Sequence, residues 1–555
     1  MKNKLLLISL ILIAFLLLFN NCSKDVAKKN HFENIKLKTI CEVWGFLKYY
    51  HPYIAQGNVD WDKKLIDLLK ISDTIYSVDD FNTLIHNTIR DIQIEANDIR
   101  IGDFDTLVFI RRDFDWLNSS SIISDENIIE LQKIYNNRKT IDSYYFSQDI
   151  EVGNLFFENE KPYTDSIYPS KYLRLLSLFR YWNIIYYFHP YLEINDLNWE
   201  NCLDQYIPKF INAQDTISYH LLVQEFASTI NDGHIWTDSD ILSKYWGYYS
   251  PFIKLKWVEN KAIIYDYYSD SLAKVSLVKL GDQVISINNR NIDSIIESRK
   301  KYYSNSNPSQ HMRRILEEIL ITNSPDSFNL SLVRNSDTFM VSLKPYFLFE
   351  LYETQENENR KKFAYKILSD SIGYINLGLL EKVDIPDFID QFLSLKKIII
   401  DIRNYPNNVL YELSNYFNPK PSAFVKVIIP NKYTPGEFIY NQTLSAGFQN
   451  YKYYKGQVIL LVNEQTQSHA EFTAMCLQSA PNVLTFGSTT AGTDGNVSYL
   501  YLPGGIITYF TGIAILYPDN SYTQRIGIKI DSIIEPQIID FASKYDRLLN
   551  AAINY

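Results

Sequence analysis

The sequence predicts a multidomain α+β protein with a helical N-terminal domain, a small β domain and an α/β core. Three observations lead to this prediction. A segment with Trp and His-Pro-Tyr occurs twice in the first half, short strand-like segments fill residues 247–345, and strand-like and helical segments alternate from residue 366 onward. A chain of 555 residues is long enough for about three or four domains. The alternation in the last part predicts parallel strands that are joined by right-handed crossovers.

The first residues predict export. Lys2 and Lys4 precede the apolar segment 5–19, so we expect residues 1–21 to be a signal peptide and residues 22–30 a tether. The cysteine after this segment resembles a bacterial lipoprotein cleavage site. This resemblance implies lipidation of Cys22 and attachment to the bacterial cell envelope, on its periplasmic or its outer face. An uncleaved anchor or ordinary signal cleavage are the alternatives.

The composition and the cysteine spacing restrict which binding partners we expect. The net charge is −10 and no marked cluster of Lys and Arg occurs, which argues against nucleic acid. The cysteine spacing matches no zinc or redox pattern, so the sequence predicts neither a metal nor a cofactor. We expect Cys41, Cys202 and Cys476 to be buried thiols, with a Cys41–Cys202 disulfide as the alternative. The oligomeric state cannot be predicted.

The helical N-terminal domain, residues 31–245, is predicted to contain an internal duplication. Segments 44–53 and 182–191 carry Trp, Tyr and His-Pro-Tyr at identical offsets, and Trp61 and Trp199 follow at equal distances. Each segment should be an amphipathic helix that ends at its His-Pro pair, because the residue before proline disfavours the α conformation. We expect both histidines to end helices within an aromatic core, since neither has a second metal ligand nearby.

A β domain is predicted over residues 247–345, followed by a charged linker over residues 346–365. Gly281-Asp282 before the alternating strand 283–288 resembles the turn and strand of PDZ domains. PDZ domains bind peptide ends by strand addition, so the resemblance implies peptide recognition. A β domain that serves only as a spacer is the alternative.

Ser468 is the candidate that draws most attention in the core, residues 366–555. It follows the apolar strand 456–463 and a polar turn, and it precedes a helical segment. A serine there can cap the helix with its hydroxyl. It can also be a nucleophile, with the backbone N–H of His469 and the positive helix end stabilising an oxyanion.

Several segments in a fixed order resemble the tail-specific (C-terminal-processing) and tricorn-like serine peptidases. They are residues 398–406, 487–497, 502–505, 511–512, 518–519 and 524–528. This resemblance implies a crotonase/Clp-protease-like core, polypeptide substrates and Ser468 as the nucleophile. It also implies His234 as the base, because tricorn-like members carry their histidine after a helix that stops as this one does, at Asn231-Asp232-Gly233.

The same resemblance assigns the remaining roles. The lysine-using branch carries its base in a Gly-Lys-Gly context, which is Gly492-Thr493-Asp494-Gly495 here, so a Ser–Lys dyad is disfavoured. His469 is a rival base, but neighbouring helical side chains diverge by about 100°. Gln524 stands where relatives place an acid that orients the histidine, and Asp232 and Asp494 are less favoured for that role. The second oxyanion donor is expected at Asn407, because Asn tolerates the positive φ of the glycine it replaces.

The sequence therefore predicts a secreted, lipid-anchored serine endopeptidase that acts on unfolded or C-terminal segments of proteins. A catalytically inactive peptide-binding lipoprotein of the same fold is the first alternative, because of the missing lysine and of Gln524 and Asn407. The second is an envelope scaffold or glycan-binding protein that uses its 43 tyrosines.

Overall fold

The computed structural model of the chain describes residues 31–91, 107–114, 116–117, 121–136, 141–360 and 362–555. The predicted signal peptide, the tether and Cys22 lie outside these residues. Within the described ranges, no helix is both long and apolar enough to cross a bilayer.

Two long helices form the centre of the helical domain: residues 31–50 and Lys171–Phe188. The other helices are Pro52–Ala55, Trp61–Ser72, Val78–Arg90, Asp125–Asn136, Trp199–Asn212, Thr216–Ala227 and Asp240–Trp246. The two similar segments make the same pair of contacts. The indole N–H groups of Trp44 and Trp61 each donate to the other residue's carbonyl at 3.0 Å. Those of Trp182 and Trp199 do the same at 2.9 and 3.0 Å.

The histidines that end these two helices differ in their surroundings. His51 is fully buried, neither ring nitrogen has a hydrogen-bond partner within the described part of the chain, and burial lowers its pKa to about 4. His189 is also buried, but its Nε2 lies 3.3 Å from Oδ2 of Asp232. Only the second histidine therefore contacts a carboxylate, and that carboxylate belongs to the candidate site described below.

A buried charge network ties the helical domain together. Lys48 Nζ lies 2.5 Å from Glu160 Oε1, and Arg180 pairs with the other Glu160 oxygen at 2.7 Å and with Asp62 at 2.5 Å. The side chains of Lys48, Arg180 and Glu160 are almost completely buried. Because buried charges need partners, the loss of any one member leaves the others uncompensated.

The helical domain and the core share one hydrophobic cluster. Leu500, Leu502, Ile506 and Phe510 from the hairpin of the strands Val497–Leu502 and Ile506–Thr511 pack among the helices. The strand Trp236–Asp238, directly after His234, joins that hairpin as its third strand. The position of His234 is thus determined by a strand from the far end of the chain.

The β domain contains a five-stranded path with helices Ile292–Arg299 and Pro308–Glu318 beside it. Its strands lie in the order Asp337–Leu343, Phe328–Arg334, Gln283–Ile287, Lys261–Tyr267 and Ile253–Val258. The strand after Gly281-Asp282 is therefore interior, and Gly281 packs against Ala542 of the core. The two edges of this path are Asp337–Leu343 and Ile253–Val258, and the second edge strand contacts the helix Pro308–Glu318.

The predicted linker over residues 346–365 is wrong in its middle part. Residues Leu348–Asn359 form a helix, and the strand Tyr346–Phe347 pairs with Tyr249–Ser250. Leu351 is buried in the hydrophobic cluster of the β domain. The helix forms because these few apolar contacts suffice to dock it, while its many charged residues remain in solvent.

The core is a six-stranded sheet with helices packed on it. The strands lie in the order Tyr365–Ser369, Ile372–Asn376, Lys397–Asp401, Gln457–Val462, Val483–Gly487 and Ser532–Ile533. All neighbours after the first pair are parallel, which confirms the predicted alternation. The helices are Ile385–Leu393, Leu410–Phe417, His469–Gln478, Ile538–Ser543 and Arg547–Asn554. The loops that leave the carboxyl ends of the parallel strands meet at one edge, where α/β folds place their sites.

A second, antiparallel sheet stands beside this edge. Its strands lie in the order Val108–Arg111, Glu437–Ala446, Ser422–Pro430 and Ala514–Leu516. A strand from the first part of the chain therefore completes a sheet of the core.

Candidate active site

Ser468 occupies a strained turn between the strand Gln457–Val462 and the helix His469–Gln478. Its φ and ψ are 57° and −122°, and its side chain does not cap the helix. A positive φ is unfavourable for a residue with a side chain and is found mainly where surrounding structure imposes it. Its N–H donates to Thr493 O at 2.8 Å, and its carbonyl accepts from Phe472 N at 2.9 Å. The helix-cap interpretation is therefore wrong, and the hydroxyl borders a cavity of about 490 Å³.

His469 contributes the first backbone N–H of the helix that follows Ser468. Among the described residues, no acceptor lies within hydrogen-bonding distance of this N–H. The imidazole lies beside the rings of Tyr405 and Phe472, with centroid distances of 6.0 and 6.4 Å. Burial lowers the pKa of this imidazole. The N–H at the positive helix end thus remains available to an anionic oxygen.

Asn407 does not supply the second N–H donor that its sequence position suggests. Its backbone N–H donates to Leu377 O at 3.1 Å, and its side-chain amide donates to Leu380 O and Glu381 Oε1. Its φ is not positive either, so it does not adopt the glycine-like conformation. The side-chain amide of Asn407 donates two hydrogen bonds that a glycine could not make, and these bonds hold the loop. Tyr405, two residues earlier, is the member of this loop that lines the cavity.

His234 is half-buried after the tight turn that ends the helix Thr216–Ala227. Its Nδ1 lies 2.9 Å from Oγ1 of Thr511, and that hydroxyl lies 2.8 Å from Oδ1 of Asp232. A carboxylate only accepts, so the single hydroxyl proton of Thr511 goes to Asp232, and Nδ1 of His234 must be the donor. This chain places the imidazole proton on Nδ1. Nε2 is left with its lone pair and makes no hydrogen bond to any of the described residues.

Asp232 is the fully buried acid behind His234. Its two oxygens accept hydrogen bonds from the backbone N–H groups of His234 and Thr511 at 3.0 and 2.7 Å. Burial raises the pKa of Asp232, but the hydrogen bond and charge of His189, together with the charge of His234, hold it well below its usual range. Asp232 is therefore an anion, and its negative charge reaches the imidazole through the hydroxyl of Thr511.

Gln524 lies behind Asp232 and does not contact His234. It is completely buried, and its Nε2 donates weakly to Asp232 Oδ1 at 3.4 Å and to Asn231 O at 3.5 Å. Its Oε1 is buried and has no hydrogen-bond partner. The amide thus supports the acid, whereas the sequence pattern suggested that it holds the histidine itself.

Gly233 connects the histidine loop with both sides of the serine turn. Its N–H donates to Thr493 Oγ1 at 3.2 Å, and its carbonyl accepts from Gln467 Nε2 at 3.4 Å. Gln467 precedes Ser468, and Thr493 O is the acceptor of the Ser468 N–H. A Cβ on Gly233 would approach Thr493 Oγ1 to 2.4 Å, so only glycine allows this contact. The loop that carries His234 is thus joined to the residues that hold the serine turn, although among the described residues no hydrogen bond joins the side chains of Ser468 and His234. Such bonds are often long in free enzymes and tighten with substrate.

Burial lowers the pKa of His234, and the charge of Asp232 opposes this effect. The imidazole is consequently neutral at neutral pH. A neutral imidazole with a free Nε2 is the state that a general base requires.

Two further buried acids lie behind Ser468. Glu471 accepts the N–H groups of Gly492 and Thr493 at 2.8 and 2.9 Å, and burial raises its pKa to about 7. Asp494 is buried beside it, and burial together with the charge of Glu471 raises its pKa well above the usual value. Glu471 therefore holds the loop that positions Ser468, which is the supporting role its place in the helix suggested.

The β domain contacts both halves of the site. Ser304 Oγ donates to Asp232 O at 2.5 Å, and Asn307 Nδ2 donates to Ala491 O at 3.0 Å. Arg313 hydrogen-bonds the Gln467 side chain, and Lys256 pairs with Glu464 at 2.7 Å. The domain therefore braces the histidine loop and the turn before Ser468, in addition to any role in recognition.

The three cysteines that the structure describes are buried thiols. Cys41, Cys202 and Cys476 are free and buried, so the alternative of a disulfide is wrong. Burial raises the pKa of each thiol.

Comparison with known proteins relates the core to a known family and fold. Residues 371–534 match the model of peptidase family S41. The structure of mature CPAF complexed with lactacystin has a TM-score of 0.52 at 12% identity, and the match covers 69% of this chain and 99% of CPAF. At that identity the likeness shows a shared fold. No curated protein matches the chain by sequence.

Two more solved structures are similar at lower scores. The photosystem II D1 C-terminal processing protease has a TM-score of 0.39 at 12% identity, with 66% of this chain and 93% of that chain covered. The tricorn protease has a TM-score of 0.34 at 14% identity, with 69% and 36% covered. Residues 371–534, which match the family model, form a peptidase family S41 domain, and the enzyme is a serine-type peptidase.

Proposed function

We propose that the protein is a secreted, lipid-anchored endopeptidase that cuts unfolded or C-terminal segments of polypeptides with Ser468 as nucleophile and His234 as base. The observation that carries this proposal is the hydrogen-bonded chain from Asp232 through Thr511 to Nδ1 of His234. It orients the imidazole and leaves Nε2 free, as a nucleophile's base requires.

In the first half of the reaction, Nε2 of His234 takes the proton of the Ser468 hydroxyl while Oγ attacks the scissile carbonyl carbon. The carbonyl oxygen becomes an oxyanion next to the N–H of His469. The imidazolium is stabilised by the Asp232 charge, which acts through the Thr511 hydroxyl. His234 then gives its proton to the leaving amine, the C–N bond breaks, and an acyl-enzyme on Ser468 remains.

In the second half, water replaces the amine. His234 takes a proton from the water, whose oxygen attacks the acyl carbon, and the Ser468 oxygen leaves with the proton that His234 returns. Each step uses the same N–H and the same imidazole, so no group beyond these residues is required.

We place peptide recognition at the open edge of Ile253–Val258, next to the helix Pro308–Glu318. A cavity of about 240 Å³ lies there and is lined by Leu255, Trp257 and Met312. An extended peptide can add to this edge as a strand, as in PDZ-like recognition. This site replaces the turn at Gly281-Asp282, which packs against the core. The PDZ-like character and the origin of the helical domain from two related halves belong to the same proposal.

The envelope location rests on the sequence alone. Lipidation of Cys22 is proposed from its position after the apolar segment, and two or more acyl chains would give stable attachment. A Cys22→Ala variant should move from the membrane to the soluble fraction. If it stays membrane-bound to the same degree as the wild type, the anchor is not Cys22.

A serine-reactive fluorophosphonate probe tests the catalytic proposal. We expect it to label the wild type and not Ser468→Ala, and we expect an unbiased peptide library to be cut by the wild type only. Absence of both labelling and cleavage would support a peptide-binding protein without turnover, and would overturn the proposal.

A further inference from the structure

Much of the wall of the cavity in front of Ser468 is apolar. The cavity volume of about 490 Å³ falls within the range of roughly 300–1,000 Å³ that is typical of ligand pockets. The lining includes the apolar side chains of Val152, Val427, Leu444, Phe472, Val497, Ile513 and Ile515, together with the polar groups of Gln442 and Asn496.

One face of the antiparallel sheet forms a wall of this cavity. Val427 lies opposite Gln442 on one neighbouring strand and opposite Ile515 on the other. Side chains alternate between the faces of a strand, so Leu444 shares the face of Gln442. Phe472, one helical turn after Ser468, borders the same cavity. A substrate side chain next to the nucleophile would thus enter between a sheet and a helix.

Charged groups do not complement a charged side chain in this cavity. Glu151, at the rim, is exposed to solvent. Asp494 lines the cavity, but its Oδ1 accepts the Gly495 N–H at 2.7 Å and its Oδ2 is enclosed without a partner. Burial and the neighbouring Glu471 raise the pKa of Asp494 well above the usual value, so its charged form is disfavoured. A lysine or arginine entering here would lose its hydration beside a carboxyl group whose charged form burial disfavours.

We propose that this cavity is the specificity pocket for the residue whose carbonyl Ser468 attacks, and that it selects bulky apolar side chains. This inference rests on the proposed function and adds the substrate class to it. The enzyme then cuts after residues such as leucine or phenylalanine. Even one methylene in an apolar pocket is worth about tenfold or more in kcat/KM, so alanine should be a clearly poorer residue at this position.

A set of peptides that differ only at this residue tests the proposal. We expect kcat/KM for leucine and phenylalanine to exceed that for alanine by at least about tenfold, with lysine and glutamate lower still. In Leu444→Glu, cleavage after leucine should fall and cleavage after lysine should rise. Ile367→Glu is the matched control, because Ile367 is 39% exposed on the far edge strand of the core. It should leave the preference unchanged.

Fluorophosphonate labelling distinguishes failure of the pocket proposal from failure of the proposed peptidase function. If Ser468 is labelled and the peptides are cut, but all at equal rates or best after lysine, the pocket proposal is overturned and the peptidase stands. If Leu444→Glu is labelled normally and keeps the wild-type preference, the pocket is also not the one described. If neither labelling nor cleavage occurs, the proposed function fails and the pocket proposal falls with it.

Discussion

Replacing Thr511 with valine tests the link between Asp232 and His234. The substitution keeps the shape of the side chain and removes the hydroxyl that lies 2.8 Å from Asp232 and 2.9 Å from His234 Nδ1. Asp232 retains its hydrogen bonds from the backbone N–H groups of His234 and Thr511, so the buried carboxylate still has partners. The Nδ1–H loses its only acceptor. An unsatisfied polar group of this kind costs about 1–3 kcal/mol, which corresponds to roughly a five- to 150-fold loss in kcat/KM.

The assay is the hydrolysis of one good peptide as a function of pH, together with thermal unfolding. Thr508→Val is the matched control, because Thr508 is equally buried on the same strand and its hydroxyl has no partner. Thr511→Ser should restore most of the activity. In Thr511→Val the acidic limb should also move to lower pH, because the imidazole loses part of the Asp232 charge that supports its protonated form. A Thr511→Val enzyme with wild-type kcat/KM and an unchanged pH profile would show that the Thr511 hydroxyl does not link Asp232 to His234.

Three further predictions follow from named contacts. Wild-type activity should rise in a single step with its midpoint below the ordinary histidine value of ~6.5, because burial lowers the pKa of His234 and only the neutral form is a base; a midpoint well above 7 would point to another group. Lys256→Ala should lower kcat several-fold without unfolding the protein, because it breaks the ion pair that holds Glu464 in the turn before the nucleophile. Adding Glu464→Ala should cost little more, and additive losses would contradict coupling through this pair. Glu160→Gln should lower the free energy of unfolding by about 3–5 kcal/mol, because buried Lys48 loses its carboxylate partner and buried Arg180 keeps only Asp62. Lys382→Ala, which breaks an exposed pair, should cost about 0–1 kcal/mol in the same denaturant titration, and equal losses would show that burial is not the cause.

Much of the core and the serine turn could be predicted from the sequence because their determinants are local. The apolar run before Ser468 and the helix after it specify a strand, a turn and a helix by composition alone. The parallel order of the strands follows from their alternation with helices. The tight turn before His234 likewise follows from Asn231-Asp232-Gly233.

The groups around His234 could not be predicted, because they come from distant parts of the chain. Thr511 reaches the imidazole only because the strand Trp236–Asp238 pairs with Ile506–Thr511, and nothing in the spacing of these segments indicates it. Asp232 was the less favoured candidate, because the resemblance placed the orienting group at Gln524. The side-chain amide of Asn407 and the docking of Leu351 were missed for the same reason: each depends on a partner that sequence distance conceals.

The β domain shows most clearly which features could not be predicted from the sequence. Its Gly281-Asp282 turn suggested a binding edge, yet the strand that follows is interior and the edges belong to Asp337–Leu343 and Ile253–Val258. Its contacts to Asp232 and Gln467 also mean that deleting the domain should abolish cleavage of long and short peptides alike. Recognition is better tested by Trp257→Ala, which should raise KM for long peptides and leave short ones unaffected.

The most direct test of the catalytic account is the steady-state hydrolysis of one peptide by Ser468→Ala, His234→Ala and the double variant, with unfolding temperatures as the control for folding. We predict that each single variant loses several orders of magnitude in kcat and that the double variant loses little more, because the two residues act as one unit. A His234→Ala enzyme with near-normal turnover, or losses that simply add, would contradict the assignment of His234 as the base of Ser468.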